Sequence, residues 1–136
     1  IEDYDKAIKI NPNYAGAYYN RGLARGDLKD YQGAIEDYDK AIKINPNYAG
    51  AYNNRGATRV KLKDYKGAIE DYDKAIKINP NDALAYNNRG ATRFLSCDRQ
   101  GGIEDTQKGA ELFRQQGNMD GYQKAQELLK LLQNQQ

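Results

Sequence analysis

The 136 residues hold no histidine and no tryptophan, and only one serine (Ser96), one cysteine (Cys97), one methionine (Met119) and three prolines. Each shortage removes a kind of chemistry. A Ser/His/Asp or Cys/His nucleophile has no imidazole to activate it. Zinc sites of the His/Cys type have no ligand set, and a lone thiol cannot close an internal disulfide. No catalytic residue, metal or cofactor is therefore assigned, and Cys97 reads as an incidental thiol in a turn. No run of about 18 apolar residues exists, so neither a spanning segment nor a membrane partner is expected. Charge of one sign is not in excess: 21 basic and 19 acidic residues leave +2, with the signs interleaved. That argues against a polyanion-binding tail and against nucleic acid as a partner. The chain opens on Ile1 with no initiator methionine and no basic-then-apolar leader, which leaves open whether the true N-terminus is missing and makes a cytoplasmic location the default.

What is present is a repeat. IEDYDKAIKINPN begins at Ile1, Ile35 and Ile69, and a degraded copy, IEDTQKGAELF, begins at Ile103, so the period is 34 throughout. Residues 1–34 and 35–68 differ at six positions only. Within a period the pattern is helical twice. Ile35, Tyr38, Ala41 and Ile42 recur at three- and four-residue steps, while Glu36, Asp37, Asp39, Lys40 and Lys43 fill the other face. Glu36 stands four before Lys40 and Asp39 four before Lys43, an orientation worth about 0.2–0.5 kcal/mol per pair. Asp30, Asp64 and Asp98 are N-cap candidates. Asn11-Pro12-Asn13, Asn45-Pro46-Asn47 and Asn79-Pro80-Asn81 stop the same helices, with the second asparagine placed to cap the next one. The helix that follows carries Gly22, Gly56 or Gly90 in its interior. A mid-helix glycine costs about 1 kcal/mol unless a neighbouring helix must come close.

Two helices per 34 residues with these landmarks resemble the tetratricopeptide repeat. Tyr18-x2-Arg21-Gly22-x2-Arg25, Ala34-x3-Tyr38 and Pro46 follow its pattern in the first full copy. Tyr52, Arg55, Gly56, Arg59, Ala68, Tyr72 and Pro80 follow it in the second, and Tyr86, Arg89, Gly90, Arg93, Gly102 and Thr106 in the third, without the proline. The resemblance implies an all-α, right-handed superhelical solenoid of antiparallel helix pairs in one array. Residues 1–14 would be an orphan second helix and turn, 15–48, 49–82 and 83–116 full repeats, and 117–136 a C-terminal capping helix.

Where the family has leucine and tyrosine, this chain has Arg21/Arg25, Arg55/Arg59 and Arg89/Arg93. Six arginines on one stripe are either a strip for phosphate or acidic peptide, or are paired internally by the recurrent Asp3, Asp37, Asp71 and Asp105. A charge in a repeat interface needs a partner in every copy, and one is supplied in every copy. Arg21, Arg55 and Arg89 are accordingly predicted to be bonded within the array.

The resemblance also implies that the first helices line a concave groove. Carried over position by position, it selects Tyr19, Asn20, Leu23, Asn53, Asn54, Ala57, Val60, Lys61, Leu84, Asn87, Asn88, Ala91, Phe94 and Leu95. Asn20, Asn54 and Asn88 would form a ladder of amides, with Asn53 and Asn87 beside them, suited to an extended peptide backbone; they equally suit a solvated helix. From the first repeat to the third, Gly16/Gly50 becomes Leu84, Gly26/Val60 becomes Phe94 and Asp27/Lys61 becomes Leu95. Either this apolar end anchors a ligand or, as preferred for a terminal repeat, the last helix (Tyr122, Ala125, Leu128, Leu129, Leu131, Leu132) folds over it. Some family members clamp the C-terminal carboxylate of heat-shock chaperones with lysines, arginine and asparagines. The matching positions here are Tyr19, Leu23, Asn54, Leu84 and Asn88, of which only Asn54 agrees. The expected function is a non-enzymatic scaffold for a peptide or helix of another protein, with a structural spacer or self-assembling array as the alternative. Ile1, Tyr4 and Ile8 form an apolar face without cover on that side, from which either homo-oligomers through this helix or its fraying is expected.

Overall fold

The computed structural model describes residues 1–135; Gln136, the last residue of the expected cap, lies outside them. Among the described residues there are eight helices and no strand: α1 (Glu2–Ile10), α2 (Ala15–Asp27), α3 (Tyr31–Ile44), α4 (Ala49–Lys61), α5 (Tyr65–Ile78), α6 (Ala83–Leu95), α7 (Arg99–Gln115) and α8 (Met119–Asn134). Helices α2 and α3, α4 and α5, and α6 and α7 pack as pairs. Each pair leans on the next through α3 against α4 and α5 against α6, and α2, α4, α6 and α8 form a row.

Short polar signals set the turns. The Asp30, Asp64 and Asp98 carboxylates each accept a backbone N–H three residues on, at 3.0 Å, and Asn118 does the same for Gly121 at 2.9 Å. The three aspartates are the expected N-caps; the cap at Asn118 is not among them. Each preceding helix closes with a pair of reversed bonds; Asp30 N donates to Arg25 O at 2.8 Å and Lys29 N to Gly26 O at 2.9 Å. The closure requires a left-handed residue, and Lys29 (φ 65°), Lys63 (62°) and Cys97 (74°) occupy it, with glycine used only at Gly117 (71°). The Asn-Pro-Asn turns differ from expectation. The first asparagine is the one engaged, Asn11 and Asn45 each accepting from the N–H two residues on at 3.1 Å. Tyr14 and Tyr48 occupy the next N-caps without a side-chain bond, and Asp82 caps α6. Helices α2, α4 and α6 begin one residue beyond the expected cap, so Asn13, Asn47 and Asn81 stand before the N-cap residue rather than at it.

The core is built from small residues and tyrosine. Ala34, Ala41, Ala68 and Ala75 are fully buried, with Tyr38 and Tyr72 beside them. The mid-helix glycines explain the approach: a Cβ at Gly22 would stand 2.7 Å from Tyr38 Cε1, and one at Gly56 2.9 Å from Tyr72 Cε1. The third pair is tighter. Thr106 and Gly102 replace the tyrosine and alanine, and a Cβ at Gly90 would meet Gly102 O at 2.8 Å and Thr106 N at 3.0 Å. Ala83, Ala110, Leu112, Phe113 and Ala125 then form a terminal cluster with Tyr86 and Tyr122.

Helix α8 thus covers α7 and the flank of α6 rather than the apolar end of the groove. Leu84 and Leu95 remain 53 % exposed, and Leu131 also faces outward. Ala125 and Leu132 are the inward residues of α8, and Leu128 is not fully buried. The longer α7, 17 residues against 14 for α3 and α5, carries its own apolar residues Leu112 and Phe113 to the position where α8 docks.

Candidate interaction face

The arginines decide what the charged stripe can do. Arg21 donates through Nε and Nη2 to the two oxygens of Asp37, at 3.0 and 2.7 Å, and through Nη1 to Asp5 at 2.8 Å. Arg25 Nη1 donates to the same Asp37 at 3.0 Å. Thirty-four residues on, Arg55 and Arg59 hold Asp71 with Asp39 as the outer acceptor; after a further 34, Arg89 and Arg93 hold Asp105 with Asp73 outside. The inner aspartates are almost wholly buried, and each first arginine lies over the tyrosine three before it, at 5.2–5.5 Å. The bidentate bonds with Asp37 raise the Arg21 guanidinium above its ordinary basicity against the opposing effect of burial. At Arg55 burial is the largest influence and lowers it, yet the bonds to Asp71 and Asp39 together leave it raised. A planar fork that stacks on a ring and spans two carboxylates is a task lysine cannot perform.

Each first arginine therefore ties the second helix of the preceding repeat to its own pair. The outer acids Asp5, Asp39 and Asp73 are missing from the sequence-level expectation, which names Asp3 in the series; Asp3 makes no ion pair among the described residues. The reason is register, since Asp3 corresponds to Asp37, whose arginines come from the helix before it. The expected Glu36–Lys40 and Asp39–Lys43 pairs are also absent among the described residues; Asp39 bonds Arg55 instead. A guanidinium already fixed on Asp71 and the Tyr52 ring holds that exposed carboxylate at less entropic cost than a solvated i,i+4 lysine would.

With the arginines engaged, the first-helix face is what remains. Tyr19 lies half-buried, stacked on Tyr48 at 4.9 Å between ring centroids and tilted against Tyr38 at 6.0 Å. Its hydroxyl accepts from Asn54 Nδ2 at 2.8 Å, and the same Nδ2 donates to Gly50 O at 2.8 Å. Both N–H groups of Asn54 are thereby used, so the expected ladder is broken at its middle rung, leaving Asn20 exposed and Asn88 half-buried. Asn53 Nδ2 donates to the α6 cap Asp82 at 2.7 Å, and the Oδ1 atoms of Asn53 and Asn87 are buried without a partner.

Six of the predicted residues line two recesses. Leu23, Asn54, Ala57 and Lys61 line one of about 160 Å³ between α2 and α4, with Tyr31 and Tyr38 of α3 at its base. Leu84 and Asn87 line a second of about 370 Å³ between α6 and the start of α8, floored by Phe113 and rimmed by Asn118, Asp120, Gly121 and Lys124. Val60 is half-buried, and Phe94 lies against Gly102. Neither of these two nor Leu95 lines either recess. The α8 rim escaped sequence reasoning, although Asn118-x2-Gly121 repeats the Asp30-x2-Gly33 capping spacing and marks where α8 begins. Two larger recesses, about 610 and 650 Å³, sit at the turns on the second helices: Pro12, Asn13, Tyr18, Lys40, Lys43 and Ile44, and the same six residue types 34 positions on. They are copies produced by the duplication, lined by lysines that form no ion pair among the described residues, with Lys40 over the Tyr18 ring at 5.5 Å.

A tetratricopeptide repeat profile matches residues 15–48 and 49–82, and a second profile with the same description matches 71–127. The chain belongs to the tetratricopeptide repeat family. Its fold is the all-α right-handed solenoid of that family, as solved structures show. The TPR2B-domain:pHsp70 complex of yeast Sti1 is similar with a TM-score of 0.86 at 24 % identity, over 90 % of this chain and 98 % of that one. MamA is similar with a TM-score of 0.78 at 28 % identity, over 85 % and 63 %. YrrB, described as a TPR protein with an unusual peptide-binding site, gives 0.74 at 24 %, over 80 % and 56 %. The tetratricopeptide chain thus spans 63 % of MamA and just over half of YrrB. Comparison with curated proteins gives no significant match. No helix among the described residues is long and apolar enough to cross a membrane.

Proposed function

We propose that the chain is a non-enzymatic interaction scaffold in which the row α2, α4, α6 and α8 receives a peptide or helix of a partner protein. Residues 15–48, 49–82 and 83–116 act as the repeats and 117–136 as the cap. The observation that carries this reading is the recess between α6 and α8, where Leu84 is half exposed and lies with Asn87 and Phe113 inside a rim of Asn118, Asp120 and Lys124. An apolar anchor ringed by polar side chains suits a ligand side chain that brings both a hydrocarbon body and a polar end. The complexes named for Sti1 and the site named for YrrB support it as fold-level analogies. Asn20, Asn88, Phe94 and Leu95 extend the face outward from the recess, while Asn54, Tyr19 and Asn53 shape it through their internal bonds.

Selection of a random peptide library on the immobilised chain, followed by calorimetric titration of the winners, tests the reading. Leu84→Asn with Asn88→Ala is expected to weaken them about tenfold or more, while Lys43→Ala with Lys77→Ala leaves them nearly unchanged. Dominance of the lysine pair would move binding to the large turn recesses. A library yielding no binder would favour the spacer or self-assembly alternative.

A further inference from the structure

The arginine clusters leave the second helices with unbalanced charge. Of the acids on α3, Asp37 is held by Arg21 and Arg25 and Asp39 by Arg55; on α5, Asp71 is held by Arg55 and Arg59 and Asp73 by Arg89. Lys40, Lys43, Lys74 and Lys77 on the same two helices are exposed and form no ion pair among the described residues. Each lysine couple lines one of the two turn recesses, of about 610 and 650 Å³. The rest of the first lining is mostly apolar: Tyr18 is buried with Ala41 and Ala51, Ile44 packs on them, and Pro12 completes it with Asn13. Ile8 joins the same cluster and so drops out of the face expected to be without cover on α1. Tyr52, Ile78 and Pro46 repeat the lining one period on. A cation in the last turn suits a helix C-terminus, which accounts for Lys43 and Lys77 but not for Lys40 and Lys74.

The third period supplies a contrast. Pro80, Asn81, Tyr86 and Lys108 are retained in register, but Glu111 stands where Lys43 and Lys77 do, and Leu112 where Ile44 and Ile78 do. Glu111 is bound by Arg114, Leu112 is buried, and Gln116 Nε2 donates to Asn81 O at 2.7 Å, tying the end of α7 to the turn. We infer that the two basic recesses together form a docking site for an acidic segment of a partner protein, in which glutamate or aspartate carboxylates meet each lysine couple and an apolar side chain lies against the tyrosine, isoleucine and proline. Charge complementarity names the acids, and the apolar lining names their neighbour. Free phosphate would leave that lining unused, and a continuous polyanion would also meet the exposed Glu36 and Glu70, one turn before Lys40 and Lys74. The site is separate from the first-helix face, so either assignment can fail without the other.

The probes are blocked peptides titrated into the full chain at low salt and followed by two-dimensional NMR. One carries a single Glu-Leu-Glu unit; the other joins two such units by glycine–serine linkers of about 4 to 12 residues, which bracket the span between the recesses. Exposed ion pairs are individually weak, so the single unit is expected to bind at about 1 mM, below what library selection retains. The double unit should bind about tenfold or more tighter at its best linker length, because its second contact is intramolecular. Shifts are expected at residues 11–13, 40–47 and 74–78. Lys43→Glu with Lys77→Glu, which copies the charge of the third period, should weaken the double unit about tenfold or more. Lys29→Glu with Lys63→Glu, the same charge change before α3 and α5 rather than at their ends, should leave it within about twofold. Lys43 and Lys77 are exposed and unpaired, so their replacement leaves the fold intact, and Leu84→Asn with Asn88→Ala should keep this binding. No shifts with either peptide, equal binding of Gln-Leu-Gln or Glu-Gly-Glu units, equal losses from the two lysine variants, shifts at the α6–α8 recess, or no gain from joining the units would overturn the inference. So would a single-stranded oligonucleotide that binds as tightly as the double unit, which would assign the lysines to a polyanion.

Discussion

Helix pairs α2/α3 and α4/α5 on one side, and α6/α7 on the other, reach the same architecture by different packing. The first two place a tyrosine ring, Tyr38 or Tyr72, over a glycine notch. The third gives up the ring and brings the backbones together through Gly90, Gly102 and Thr106, with Gly109 close against Ala83 O. What is common to all three is the charge cluster, two arginines on one buried aspartate. The comparison teaches that this cluster, more than the apolar filling, sets the orientation of the pair: the filling changed in the third copy while the cluster kept its distances to within a few tenths of an ångström.

Adding a methyl group is the harshest way to break the comparison. At Gly90 or Gly102 the new atom would meet backbone, which cannot rotate away, and Gly→Ala there should cost about 2–3 kcal/mol. At Gly22 or Gly56 it meets mainly the edge of a tyrosine ring that can shift, and the loss should be about 1 kcal/mol, partly offset by alanine's better helix propensity. Urea unfolding of the four variants checks the order; equal losses would mean that the two kinds of pair are not different.

Alkali should separate the regions next. Burial pushes the Tyr38 and Tyr72 hydroxyls well above the ordinary tyrosine value of 10.0, and Thr106 supplies no such group in the third pair. A raised pKa means that the folded state favours the neutral phenol. Its contribution is therefore complete below about pH 10 and is lost as pH climbs through that value toward the folded pKa. Hydrogen exchange between pH 9 and 11 should show α2 to α5 opening before α6 and α7, and Tyr38→Phe with Tyr72→Phe should delay it.

The smallest effect concerns the turns. Lys29, Lys63 and Cys97 hold left-handed backbone at a cost of about 1 kcal/mol each that glycine would not incur. Cys97→Gly is expected to raise stability by up to about 1 kcal/mol in thermal unfolding, less the entropy that glycine adds to the unfolded chain.

Helices, period and pairing were legible because a 34-residue repeat displays its apolar and charged positions several times over, and Asp30, Asp64 and Asp98 mark helix starts by a rule that depends only on local chemistry. The internal fate of the arginines was legible for the same reason, as an acid recurs with them. Register across helices was not. Nothing local tells Asp5 from Asp3 as the acceptor of Arg21, or reveals that Asn54 turns its amide to Tyr19 and Gly50. The left-handed turns were hidden because lysine and cysteine stand where glycine is the usual sign. The α6–α8 recess depends on the two ends of α7 and on where α8 lands, a tertiary outcome of a repeat that has lost its pattern.

The arginines are spent inside the array, and the proposed function assigns recognition to the first-helix face for that reason. Nitrogen-15 NMR of the arginine Nε–H groups measures this directly, since a bidentate bond to a buried aspartate slows exchange with water and a solvated guanidinium does not. Arg21, Arg55 and Arg89 should each give a slowly exchanging Nε–H signal that is unmoved by added inorganic phosphate, and Asp71→Asn should abolish that of Arg55 alone. Fast exchange at all three, with shifts that titrate with phosphate, would contradict the account and make the stripe an anion site.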